Sequence, residues 1–282
     1  MRYIEITSRS NPHIREAVTV KGKRPHKYDA FLIEGPHLLQ MAFQARIVIQ
    51  KIFFTEEYLS TKEGTQLLRQ ISRTGAELFR INRHILSRLS DTETPQGIVA
   101  MASCRPLSLD ELRLRDPALL IVIDGVQDPG NLGTIIRTSD AAGVDALILL
   151  PGTCDVFMPK VLRATAGSIF NVPLVYSETG ELMRWLQEKS IKALVTDVKA
   201  SQNLYEADLT QPLAFVFGHE ATGVTEKLKR QADVLVKIPL FGEAESLNVA
   251  ISAAICMYEA VRQRTAKKNQ ALVQSDRTSR KD

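Results

Sequence analysis

The sequence predicts an α/β protein in two parts, the second a mostly parallel sheet with helices on both faces. Three observations carry this. Apolar runs of strand length alternate along the 282-residue chain with segments whose apolar positions recur at helical spacing. In the second part the runs are apolar throughout rather than alternating, as in strands buried on both faces. The charge also changes sign: residues 1–105 hold 16 Lys and Arg against 10 Asp and Glu, residues 106–262 hold 14 against 20, and residues 263–282 hold 6 against 2. A basic front, an acidic middle and a basic tail imply separate tasks, with a polyanion the natural partner of the ends.

In the first part, residues 1–105, FLIE (31–34) and IVIQKIFF (47–54) read as strands with a helix over 36–44 between them. A helix over 61–73 and a strand GIVAMAS (97–103) complete a small α/β domain. Its first 27 residues carry seven Lys and Arg against two acids, with a cluster at Lys21, Lys23, Arg24, His26 and Lys27 that a solvated turn would explain by itself. The polar stretch 104–117, broken by Pro106 and Pro117, reads as the connection, with a linker over 106–117 and a short helix at 108–113. ALLIVID (118–124) opens the second domain, 118–264, and strands follow at 146–150, 193–196, 214–218 and 234–240. The last helix, about 246–263, is apolar almost all round, which places it against the sheet, against another subunit, or both. Residues 265–282 are polar and unpatterned, as a disordered tail is.

Several classes drop out. No apolar run approaches the roughly 20 residues of a membrane-spanning helix, and MRYIEITSRSNPHIREA lacks the apolar stretch of a signal peptide, so a cytoplasmic protein is expected. Cys104, Cys154 and Cys256 are odd in number and far apart, which fits neither a disulfide framework nor a metal site.

Three loops at strand ends carry candidate chemistry. In DPGNLGTIIRTSDAAG (128–143), a Pro-Gly turn after the strand ending at Asp124 leads into a helix with Asn131 as its expected cap. Such a helix start is a standing anion site, and Arg137, read as lying near its first turns against the dipole, calls for a partner such as a phosphate. In FVFGHEATGV (215–224), Glu220 at the strand's carboxyl end is the functional candidate, and His219 is read as structural. In IPLFGEAESLNVA (238–250), Ser246 is placed to cap the last helix, and Asn248 is a rare polar group on an apolar helix. Three polar loops at carboxyl ends of strands form a ligand crevice, and none is a dinucleotide or nucleoside-triphosphate loop.

In this order and at these intervals, the three loops resemble the signature motifs of the SpoU (TrmH) family of RNA ribose 2′-O-methyltransferases, in the SPOUT superfamily, over roughly 118–263. ITSRSNPHI, FLIEGPHLL and TPQGIVAMA resemble the L30e-like substrate-binding domain of the longer, ribosomal-RNA-directed members; shorter members that modify tRNA typically lack it. The resemblance implies a SPOUT sheet closed by a deep trefoil knot, an obligate homodimer, and S-adenosylmethionine bound in the knot largely by main-chain groups, here at Gly218, Ile238 and Leu247 with Thr196 nearby. In the family, the residue matching Arg137 is proposed as the base that takes the proton of the attacking 2′-hydroxyl, aided by an RNA phosphate. The matches to Asn131, Glu220, Ser246 and Asn248 organise the pocket. A guanidinium with a pKa above about 12 is an awkward base, so Arg137 is read here as a phosphate clamp that also polarises the hydroxyl. Arg9, Lys21, Lys23, Arg24 and Arg163 are the expected RNA contacts, and no metal is required. The chain departs from the family pattern at His219, where a small residue is usual, and at Glu243 and Glu245, which flank the third loop. The expected activity is 2′-O-methylation of 23S rRNA. The rival readings are a non-catalytic RNA-binding or ribosome-assembly protein, a tRNA-directed enzyme, and a base methylase of the same fold.

Overall fold

The computed structural model describes residues 1–22 and 30–278 and divides the chain into two units. Met1–Pro106 joins with Asp155–Asn171, and Leu107–Cys154 joins with the chain from Val172 on. Lys23, Arg24, His26 and Lys27 of the basic cluster lie outside the described residues.

The first unit has five strands, β1 (Ile4–Ile6), β2 (Ala30–Glu34), β3 (Val48–Phe54), β4 (Glu77–Ile81) and β5 (Ile98–Ser103), in the order β1-β4-β3-β5-β2. β5 runs antiparallel to β2 and β3, and the other pairs are parallel. Its helices are α1 (Pro12–Gly22), α2 (Pro36–Gln44), α3 (Glu56–Leu59), α4 (Lys62–Ser72) and α5 (Arg83–Leu89). Local chemistry sets their starts. Pro36 opens α2 after Gly35, whose φ of 93° only glycine adopts freely, and the Thr61 and Asn82 side chains accept the free N–H groups of Gly64 and Ile85. The expected strands and helices all form here. β1, α1, α3, β4 and α5 add to them, too short or too mixed in pattern to stand out.

The second unit is a seven-stranded, all-parallel sheet. Its strands are β6 (Leu119–Asp124), β7 (Ala146–Leu149), β8 (Leu174–Tyr176), β9 (Lys192–Thr196), β10 (Gln202–Asn203), β11 (Leu213–Gly218) and β12 (Val234–Lys237), in the order β10-β12-β9-β11-β6-β7-β8. Helix α6 (Pro129–Ala142) follows β6, α7 (Pro159–Thr165) belongs to the first unit, and α8 (Thr179–Glu188), α9 (Glu226–Gln231) and α10 (Val249–Thr278) complete the second. Leu120, Val122, Val195 and Val216 form one core with Leu182 and Trp185 of α8 and Leu228 of α9. The alternate residues Ile121, Ile123, Phe215 and Phe217 are equally buried on the face where α10 packs against α6 and β11. Burial on both faces is why these strands are apolar at every position. Among the described residues no helix is long and apolar enough to cross a membrane.

The structure revises four expectations. Residues 155–171, counted with the second domain, pack in the first unit: Phe157 stacks on Phe31 at 4.3 Å between ring centroids, and Met41 fills the space left by Gly167. The 106–117 connection is packed against its own unit. Leu107 donates its N–H to Leu174 O at 3.0 Å and joins Leu109, Leu112 and Leu114 on the second core, and the expected helix shrinks to one 3₁₀ turn at Leu109–Glu111. The strand expected over 234–240 stops at Lys237, two residues before Pro239, which has no N–H to give a ladder. The last helix begins at Val249 and runs to Thr278, so the disordered tail is corrected to helix over most of its length. Ala, Lys, Gln and Leu in that stretch are good helix formers, and they prolong a helix already nucleated by its buried first half.

Arg264 anchors α10. Its guanidinium donates to the carbonyls of Leu209, Gln211, Pro117 and Ala118 at 2.8–3.0 Å, just ahead of β11 and β6. Arg264→Ala removes the donor from the Leu209, Gln211 and Pro117 carbonyls, while Ala118 O keeps the Leu213 N–H, and is expected to cost about 2–3 kcal/mol in urea unfolding. Arg264→Lys recovers only part of this, because one ammonium cannot span the four acceptors.

Candidate functional site

The carboxyl ends of β9 and β12 border an open cleft. Thr196, Asp197 and Val198 line one side, and Val236, Lys237, Ile238 and Leu240 another. Ser246, Leu247 and Ser252, on the approach to α10 and its first turn, complete it. Three expected cofactor positions, Thr196, Ile238 and Leu247, therefore share one cavity with Ser246. Gly218 is not among the lining residues. Its role is steric: a Cβ there would lie 2.1 Å from Gly223 C and Val224 N, so only glycine lets the loop after β11 fold back on itself. That fold is closed by paired main-chain bonds between His219 and Gly223, while the His219 ring accepts the Ala221 N–H at 3.0 Å.

A chain of hydrogen bonds joins the three motif loops. The Glu220 carboxylate accepts from the N–H groups of Gln127 (3.1 Å) and Asp128 (2.9 Å) and from the Asn131 amide (2.9 Å). The Asn131 oxygen in turn accepts from the Asn248 amide at 2.9 Å, and the Asn248 oxygen accepts the N–H groups of Ala250 and Ile251 at the start of α10. Burial works against the charge on Glu220, but the bonds from Asn131, Asp128 and Gln127 outweigh it and bring its pKa from 4.5 down to about 2. A carboxylate facing the first turn of α6 also suits that helix's dipole. Nearby, Asp124 at the end of β6 accepts the Thr225 N–H at 2.7 Å and ties the first loop to the second.

Two cap assignments change. α6 is capped by Asp128, which accepts the Asn131 N–H at 2.8 Å and leaves the Asn131 side chain free for Glu220. α10 is capped by Asn248 rather than Ser246, since only Asn248 stands next to the first helical residue. Arg137 is the ninth residue of the fourteen in α6, not near its first turns, so the dipole argument does not apply to it. It lies roughly 120° round the helix from Asn131. It is exposed and makes no hydrogen bond or ion pair among the described residues.

The expected RNA contacts are scattered. Arg9 is exposed. The Lys21 ammonium donates to the carbonyls of Ser90 and Arg88 at the end of α5, a structural use of a cation at a helix C-terminus. Arg163 pairs with Asp91 at 3.0 Å within the first unit, and Lys23 and Arg24 are outside the described residues. Sequence reasoning did not single out Asp124, Asp128 or Asp197. The signal available was their position, each at or just beyond the carboxyl end of a strand. Among the described residues no group of three or more His, Cys, Asp or Glu could hold a metal ion.

The profile of the SpoU rRNA methylase family matches residues 118–258, and that of the MRM3-like substrate binding domain matches residues 11–100. The chain is 34% identical over 255 residues to the Bacillus subtilis 23S rRNA (guanosine(2553)-2′-O)-methyltransferase RlmP, covering 90% of this chain and 98% of the relative. It is 31% identical over 268 residues to a 23S rRNA (uridine(2479)-2′-O)-methyltransferase from Streptomyces viridochromogenes, covering 92% of each. Among solved structures it is similar to an AdoMet-bound rRNA methyltransferase from Sinorhizobium meliloti, with a TM-score of 0.82, 29% identity and coverage of 92% and 97%. It is equally similar to the SpoU methyltransferase AviRb from Streptomyces viridochromogenes in complex with AdoMet, with a TM-score of 0.83, 29% identity and coverage of 90% and 98%.

The depressed pKa of Glu220 makes stability depend on acid. The group's ordinary value is 4.5 and its folded value about 2, so its contribution is complete above pH 4.5 and is lost as pH falls toward 2. In urea titrations across that window, wild-type stability is expected to fall more steeply with pH than that of Glu220→Gln, by up to about one bound proton.

Proposed function

This chain belongs to the SpoU rRNA methylase family, and from that premise we propose that it transfers a methyl group from S-adenosylmethionine to a ribose 2′-hydroxyl of 23S rRNA. The observation that carries this is the bonded chain Glu220–Asn131–Asn248, which holds all three motif loops together beside the cleft. The first unit favours ribosomal RNA over tRNA as substrate, since it matches a substrate-binding domain and the curated relatives above act on 23S rRNA.

The cleft fits the cofactor. Apolar Val198, Val236, Ile238, Leu240 and Leu247 suit an adenosyl group, while Asp197, Lys237, Ser246 and Ser252 supply polar and charged partners for its ribose and amino-acid ends. Thr196, Ile238 and Leu247 would hold it, with Gly218 shaping the loop alongside. Bound there, S-adenosylmethionine supplies an electrophilic methyl group. The chain's own residues then have to place a 2′-hydroxyl in line with that methyl, and the hydroxyl's proton leaves to solvent water as the methyl transfers. Asn131, Glu220, Ser246 and Asn248 fix the loops around the hydroxyl. Arg137, a cation with no partner among the described residues, takes an RNA phosphate and polarises the hydroxyl. Arg9, Lys23 and Arg24 supply phosphate contacts to folded RNA, and Lys21 and Arg163, held by the end of α5 and by Asp91, are dropped from that set.

The protein works as a cytoplasmic homodimer. In support, Ile251 and Tyr258, seven residues apart on one face of α10, are each 51% exposed, which suits contact with a second copy. The trefoil knot belongs to the same reading. β12 lies between β9 and β10, and the chain beyond it returns as α10 to pack on α6.

Calorimetric titration with S-adenosylmethionine, followed by mapping of 2′-O-methyl groups on 23S rRNA incubated with the protein, tests the reading. Binding together with one new 2′-O-methyl is expected, and a well-folded dimer that binds no cofactor would sink it. Arg137→Lys separates clamp from base: turnover is expected to drop about a hundredfold with cofactor binding intact, as for loss of a bidentate contact. Near-normal turnover with a lowered pH optimum would make Arg137 the base, because an ammonium gives up its proton at a lower pH than a guanidinium.

A further inference from the structure

We infer that Asp197 is itself a cofactor-binding residue, its carboxylate accepting both hydroxyls of the ribose diol of the nucleoside bound in the cleft. The inference rests on the methyltransferase reading and adds to it a side-chain contact, where the family resemblance implied main-chain groups for the most part.

Asp197 follows Thr196 at the carboxyl end of β9 and lines the cleft beside it. Its main chain is pinned by an N–H bond to Val236 O at 3.0 Å. Its carboxylate is pinned twice: one oxygen accepts the Lys199 N–H at 2.8 Å, and the other accepts the Lys229 ammonium at 2.7 Å. Lys229 is steadied in turn by Glu226 at 3.2 Å on α9.

An ionised carboxylate has about four acceptor positions, so roughly one on each oxygen remains open. Burial of Asp197 favours the neutral acid, but the Lys229 and Lys199 bonds prevail and hold the carboxyl below its ordinary range, which leaves it an acceptor only. Lys229, which Asp197 shares with Glu226, and Lys199 together offset the charge. What Asp197 offers the cleft is thus two fixed acceptors side by side with little net charge. That selects a pair of neutral donors on neighbouring carbons over an ammonium or a sulfonium, and the remainder of the cleft lining is largely apolar. Lys229 is a positioning residue, acting through Asp197.

The test is calorimetric titration of the full chain with S-adenosylmethionine, 5′-methylthioadenosine, and the 2′-deoxy form of the latter. Methylthioadenosine keeps the diol and lacks both the sulfonium and the amino acid. Wild type is expected to bind the two diol ligands and to bind the deoxy ligand roughly tenfold to hundredfold less tightly. Asp197→Ala should lower affinity for both diol ligands by a similar factor and lower it clearly less for the deoxy ligand, which has only its 3′-hydroxyl left to lose. Asp197→Asn, which keeps the shape and the Lys199 bond, should show the same selectivity and guards against a folding defect in the alanine variant. Equal losses for diol and deoxy ligands would make Asp197 merely structural and overturn the inference, as would no loss at all. If wild type binds none of the three, the methyltransferase reading falls and takes this one with it.

Discussion

An amide side chain gives hydrogen bonds at one end and takes them at the other, and in this molecule the direction of two such amides is dictated from both sides. Glu220 is ionised and can only accept, so the NH₂ group of Asn131 must face it. The Ala250 and Ile251 N–H groups can only donate, so the oxygen of Asn248 must face them. The one bond left between the two amides then has a single permitted sense, which is the one observed. Because Glu220 also takes the N–H groups of Gln127 and Asp128, this directed chain fixes the entry to α6, the loop after β11 and the start of α10 relative to one another. Replacing any of the three by a residue of similar size but different donor pattern breaks the order everywhere along it.

The sheet is fastened at the opposite end by different means. Asp145 accepts the N–H of Leu119 at the start of β6, Asp233 accepts that of Ala193 near the start of β9, and Arg264 donates to carbonyls ahead of β6 and β11. Charged side chains thus satisfy main-chain groups where three central strands begin, and the loops where they end are left to bind and react. This division of labour follows from a parallel sheet, in which all strand ends of one kind lie on one edge.

Much of this was legible in the sequence because burial on two faces writes continuous apolar runs: β6, β7, β9 and β11 stand out at once. The three loops were legible as polar interruptions at strand ends. Strands of two or three residues such as β8 and β10 leave no periodicity to read, and their placement depends on neighbours far along the chain. The caps were misassigned for a related reason. Asn131 and Ser246 are good capping residues three and two positions from the true caps, Asp128 and Asn248, and only the tertiary partners of Asn131 decide the matter. The charged tail read as disordered because composition alone does not show that a helix has already been started upstream.

The path of residues 155–171 bears on how this protein can be taken apart. The N-terminal unit is discontinuous in sequence, completed by seventeen residues inserted after β7. A fragment ending near residue 105 keeps Phe31 and Met41 but loses the Phe157 ring and the Gly167 turn that cover them. An apolar patch on the edge strand β2 would then be open to solvent, and such edges invite association. The substrate-binding half is therefore not a portable module. Grafting it onto another enzyme, or inheriting it by gene fusion, succeeds only if the insertion travels with it.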